Sequence, residues 1–137
     1  MLLIGKKHLD EMVAHALAEY PLEACGLIGG SAGEDGRATV HDVYPADNSA
    51  RSARVYEVDA RAMLRADREA EAAGGQLVGV YHSHTHTDAQ PSPTDVAQAP
   101  DPDWHYVLVS LRDVHPSVRS WKVRNGKIEE EQVVLQW

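Results

Sequence analysis

From Lys6 to Tyr20 the apolar residues Leu9, Met12, Val13, Ala16, Leu17 and Tyr20 recur at the three- and four-residue spacing of one helical face. Pro21 stops the run, so the pattern predicts an amphipathic helix over residues 6–20. CGLIGG (25–30) is a short apolar run closed by glycines, and RATVHDVYP (37–45) alternates enough to pair with it as a hairpin. The polar linker ADNSARSAR (46–54) follows, and VYEV (55–58) predicts a brief strand. Asp59 can cap a helix that runs to about Ala73, with Ala60, Met63, Leu64 and Ala70 as its apolar face and Gly74-Gly75 as its stop. QLVGVYHSH (76–84) is almost wholly apolar until its histidines, the pattern of a central strand covered on both faces whose polar end emerges at the sheet's edge.

After Pro93, TDVAQA predicts a short helix, DPD (101–103) a turn and WHYVLVS (104–110) another buried strand. Asn125-Gly126 is a strong hairpin signal, joining VRSWKVR (118–124) to KIEEEQVVLQW (127–137). The expected fold is a single α/β domain over residues 1–137, with a mixed β-sheet flanked by helices.

Composition narrows the partners. A chain of 137 residues can bury one core without disulfides or a structural metal. Thirteen basic against twenty-one acidic residues give a formal charge of -8, and no Lys/Arg stripe tracks a phosphate backbone, so nucleic acid is not an expected partner. The apolar stretch after Met1 is too short for a signal-peptide core and no membrane-length apolar run occurs, which predicts a cytoplasmic protein with no membrane partner. Cys25 is the single cysteine, leaving it packing or nucleophilic chemistry.

The chemistry concentrates in HSHTHTDAQPSPTD (82–95). Side chains at i and i+2 of a strand point the same way, so His82 and His84 present their imidazoles about 6–7 Å apart along one face. A metal shared by these rings needs a third ligand, and His86, Asp88 and Asp95 are the candidates. His86 sits about 13 Å along a straight strand from His82, too far unless the chain bends at Thr85. Asp95, arriving from a separate helix, closes a tetrahedron more easily. SPTD is also a capping box, with Ser92 at the N-cap, Pro93 next and Asp95 at the third position.

The whole pattern, H-x-H followed after seven residues by S-x-x-D, resembles the signature of the JAMM, or MPN-plus, zinc peptidases at His82, His84, Ser92 and Asp95. PLEACGLIGG supplies Glu23 where that family has an upstream glutamate. EACGL, YHSHT, PSPTD and HYVLVS occur in the order of the branch that hydrolyses cysteine from sulfur-carrier proteins.

The resemblance implies a cytidine-deaminase-like α/β/α fold and one Zn²⁺ per chain held by His82, His84 and Asp95. Water would take the fourth position, with Glu23 as general base and Ser92 supporting the oxyanion. Such a site brings water's pKa to roughly 7, and one oxyanion donor is worth about 3 kcal/mol. The implied substrate is a small ubiquitin-like sulfur-carrier protein whose C-terminal tail loses a cysteine, a step of cysteine biosynthesis. The tail would add as a strand beside a sheet edge. Two alternatives accompany it: a general JAMM isopeptidase acting on ubiquitin-like modifiers, and a catalytically silent MPN scaffold. A cysteine hydrolase built on Cys25 and a histidine is a further rival.

Overall fold

β4 (Gln76–His84) runs near the middle of an eight-stranded sheet, antiparallel to β2 (Cys25–Ala32) on one side and parallel to β5 (His105–Ser110) on the other. β3 (Ala38–Ala46) continues the sheet beyond β2, then come β1 (Leu2–Gly5) and β8 (Val133–Gln136). β6 (Ser117–Arg124) and β7 (Lys127–Glu131) extend it beyond β5. These elements come from a computed structural model of residues 1–137. The mixed sheet flanked by helices is the expected class, and β2 and β3 form the predicted hairpin.

The outermost strands, β7 and β8, are separated in the chain only by Gln132. The sheet must therefore curl until its two edges converge at that corner. Glu131 closes the seam, accepting hydrogen bonds from the Met1 amine at 2.8 Å and Ser120 Oγ at 2.7 Å and facing His105 Nδ1 at 2.6 Å. Burial works against its charge, but these partners outweigh it and hold the carboxyl at about 2.

Helix α1 (Lys6–Glu19) packs Met12 and Ala16 against one face of the sheet, with Leu2, Ile4, Ile28, Val107 and Val109. Helix α2 (Ala60–Ala72) packs Ala66 against the other, with Leu27, Val80, Tyr106, Leu108 and Trp121. No helix is long and apolar enough to cross a membrane.

A bulge sets which face the histidines occupy. Ile28 pairs with Gly79 but Gly29 with Leu77, so Val78 is an extra residue in β4. Val78 faces α1, whereas Val80 faces α2. From Val80 onward strict alternation sends Tyr81 to the α1 side and His82 and His84 to the α2 side. Tyr81 locks this register: its ring covers Gly26, where an added Cβ would lie 2.3 Å from it, and its hydroxyl meets His15 Nδ1 of α1 at 2.8 Å.

Several predicted elements hold. Asp59 caps α2 by accepting from Ala62 N at 3.1 Å, and Gly74 takes the left-handed conformation (φ 85°) just beyond it. Asn125 and Gly126 both have positive φ, as the two-residue hairpin turn demands.

Others are corrected. Residues 55–58 form no strand; they make a single bridge, Asn48 to Val58, because Asn48 takes up their backbone groups. KIEEEQVVLQW is two strands, since only its first half follows β6 and the rest crosses the seam to pair with β1. β1 carries no signal of its own in the sequence: LLIG is too short to show a period and is ordered by parallel partners on both sides. The buried face of α2 is Ala62, Ala66 and Ala70, with Met63 half-buried against the cluster around Ala66; Ala70 and Met63 face as predicted, whereas Ala60 is exposed and Leu64 is 51% exposed.

Candidate active site

The end of β4 carries His82 and His84 to the mouth of the sheet, where α3 (Pro93–Gln98) begins. Ser92 caps α3 through its side chain, accepting from Asp95 N at 3.1 Å, and Ser92 N donates to Asp95 Oδ2 at 2.9 Å. This capping box does more than start a helix. It holds Oδ2 where His82 Nε2 and His84 Nε2 approach it at 3.1 and 2.9 Å. One carboxylate oxygen thus closes the helix cap and faces both imidazoles.

His82, His84 and Asp95 are all buried, and one ligand atom from each lies within 4.8 Å of the others. Burial penalises charge on Asp95, but its hydrogen bonds from both imidazoles and from the Ser92 backbone hold the carboxyl well below the usual range. Burial likewise pushes His82 down towards the neutral imidazole a metal requires. For His84 burial is outweighed by the Asp95 carboxylate and the Asp88 carbonyl, and its pKa is raised in the metal-free chain.

Glu23 lies in the turn between α1 and β2. Its backbone N–H donates to Ser52 O at 2.8 Å and its carbonyl accepts from Asn48 Nδ2 at 3.1 Å, so the 46–58 segment fixes its position. The side chain is 2% exposed, and its Oε1 is buried with no partner. Burial first, and then the neighbouring Asp95 charge, carry its pKa up to about 7 against the opposing pull of His84. Two imidazoles and a carboxylate are a donor set suited to zinc, and the solitary Glu23 oxygen beside them suits a water or substrate partner. The residues present fit the metal that the sequence implied.

His86 and the Asp88 carboxylate stay outside this cluster. His86 is exposed and pairs with Thr85 Oγ1 at 2.8 Å. The Asp88 carboxylate reaches Arg119 at 3.3 Å, while its carbonyl takes the Nδ1–H of His84 at 2.8 Å. Cys25 is fully buried, its thiol points at Asp47 O at 3.6 Å, and burial pushes its pKa up to about 12. Such a thiol is not a nucleophile at neutral pH, which removes the cysteine-hydrolase rival.

Sequence reasoning missed Tyr56, whose ring stacks on His82 with centroids 4.0 Å apart and planes at 20°. A lone aromatic in VYEV carries no mark of the ring it will meet.

This architecture and site define a JAB-type hydrolase domain, and residues 5–124 match the family described as prokaryotic homologs of the JAB domain. The chain belongs to that family. It is 43% identical over 134 residues to the CysO-cysteine peptidase of Mycobacterium tuberculosis, a match covering 97% of this chain and 90% of that protein. It is 35% identical over 106 residues to the desampylase of Haloferax volcanii, covering 74% of each. A Desulfitobacterium hafniense protein solved in solution superposes with a TM-score of 0.91 at 35% identity, over 99% of this chain and 93% of that one.

Proposed function

We propose that the chain is a zinc-dependent peptidase that releases cysteine from the C-terminus of a small ubiquitin-like sulfur-carrier protein. The observation that carries this reading is the convergence of His82, His84 and Asp95, all buried, beside the unpartnered carboxylate oxygen of Glu23. The likeness to a CysO-cysteine peptidase over 97% of the chain supports the choice of substrate class.

His82, His84 and Asp95 would hold one zinc ion. Zinc bound there would supply Lewis acidity towards water and towards the scissile carbonyl. Glu23 takes a proton from the attacking water as its oxygen bonds to the carbonyl carbon, and delivers a proton to the amine as the C–N bond breaks. A pKa raised by burial suits both halves of that transfer.

Ser92 uses its oxygen to accept from Asp95 N, which leaves its own O–H free to donate to the developing oxyanion. Two substitutions separate the cap from this donation. Ser92→Ala should cost about 1 kcal/mol of stability and Ser92→Gly only a few tenths. Both should lower kcat by about 10²–10³-fold, because both lack the hydroxyl. A Ser92→Gly enzyme turning over at the wild-type rate removes Ser92 from the mechanism.

The reading is tested by incubating the protein with a ubiquitin-like carrier bearing a C-terminal cysteine and following the carrier's mass. Loss of one cysteine residue, abolished by a chelator and untouched by thiol alkylation, is expected. An unchanged mass with zinc-loaded protein overturns it. The likeness to a desampylase favours a second reading, removal of ubiquitin-like modifiers from proteins, and a carrier in isopeptide linkage distinguishes the two in the same assay.

A further inference from the structure

We propose that Tyr56 is a positioning residue for the metal site, holding the His82 imidazole in its ligating orientation by stacking. The inference rests on the zinc reading above. It starts from an asymmetry between the two histidines. His84 is oriented by a hydrogen bond, its Nδ1 lying 2.8 Å from the Asp88 carbonyl. A metal-ligating histidine ordinarily has such a partner on its second nitrogen. His82 has none: its Nδ1 is buried and makes no hydrogen bond.

Without that bond the ring's rotation about its last side-chain torsion is soft, because this torsion in histidine is broad and roughly two-fold. Tyr56 supplies the missing restraint. Its ring lies nearly parallel to the imidazole, at 20° and 4.0 Å between centroids, so rotation of His82 would drive the imidazole edge into the phenol face. His84 meets His82 edge-on instead, at 68° and 5.1 Å, and does not supply a flat wall.

Tyr56 is itself held. Asn48 donates to Val55 O at 3.0 Å and accepts from Glu57 N at 2.9 Å, gripping the backbone on both sides of the tyrosine. The same Asn48 side chain donates to Glu23 O at 3.1 Å. One residue thus fixes the ring over a metal ligand and the backbone of the general base. The contact with His82 is made by the Tyr56 ring, so the ring rather than the O–H carries the effect.

The experiment compares Tyr56→Leu, Tyr56→Phe and Met63→Ala in the full chain, reading zinc affinity by competition with a chromophoric chelator and folding by thermal melting. Met63 lines the same apolar cavity of about 270 Å³ and is neither a candidate ligand nor the ring stacked on His82, so it reports loss of packing alone. Tyr56→Leu should weaken zinc binding about 10–100-fold, the usual cost of losing an outer partner of a ligand, while Tyr56→Phe restores it. Met63→Ala should lower the melting temperature and leave affinity unchanged.

An NMR reading on the metal-free protein stands apart from metal loading. The His82 ring protons should show an upfield ring-current shift that persists in Tyr56→Phe and vanishes in Tyr56→Leu. Unchanged zinc affinity in Tyr56→Leu, or equal losses in Tyr56→Leu and Met63→Ala, overturns the proposal. So does a wild-type chain that binds no zinc, which removes the zinc reading with it. Intact zinc binding with no cleavage of the cysteine-bearing carrier removes only the substrate assignment.

Discussion

Glu23→Gln is expected to lower turnover of a cysteine-bearing carrier by about 10²–10⁴-fold while zinc content stays at the wild-type level. The substitution keeps the side chain's volume in a site where Glu23 is 2% exposed, so no cavity opens. It removes only the capacity to take a proton from water and return one to the departing amine. Glu23 makes no side-chain contact that a glutamine would break, since its Oε1 is unpartnered and its position is set by backbone bonds to Ser52 and Asn48. Stability should therefore not fall; burying a neutral amide avoids the desolvation that raises the glutamate's pKa. Steady-state kinetics on protein of measured zinc content checks this. A variant with full zinc and the wild-type rate takes Glu23 out of the proton transfer.

The distribution of legible and illegible features has a physical basis. His82 and His84 could be read because a strand's two-residue period fixes their common face, and Ser92 and Asp95 because a capping box is local. Glu23 is separated from His82 by more than fifty residues of chain, and no local rule joins them. Only the family resemblance marked it, and folding brings it to the site through the antiparallel pairing of β2 with β4.

Tyr56 lay beyond both routes. Its segment reads as a strand by composition, yet one asparagine diverts its backbone bonds and leaves the ring free to meet His82. The same limit explains β1 and β8, whose pairing depends on a sheet curling until its edges converge. In α2 the larger side chain of Leu64 suggests a buried face, but where the helix passes closest to β2 it turns alanines inward. An added Cβ on Gly29 would sit 3.3 Å from Ala70 Cβ.

Asp95→Asn should abolish stable zinc binding, with a loss of affinity greater than the roughly 10–100-fold that follows removal of an outer-shell partner. The asparagine retains a side-chain oxygen able to accept from Ser92 N, so α3 should still form and the change should act on the metal rather than on the helix. What disappears is the negative charge between two buried imidazoles, where Oδ2 now stands 3.1 Å from His82 and 2.9 Å from His84. An amide presents either a neutral oxygen or two N–H donors there, and neither replaces a carboxylate as a ligand. Thermal melting with and without zinc gives the decisive comparison, because a metal that binds only the folded state raises its stability. Wild-type protein should gain melting temperature on zinc addition and lose it with a chelator, whereas Asp95→Asn should melt at one temperature in both. An Asp95→Asn protein that keeps a full zinc ion through dialysis against chelator would move the third ligand elsewhere, to His86 or the Asp88 carboxylate, and would require the 85–92 loop to refold around it.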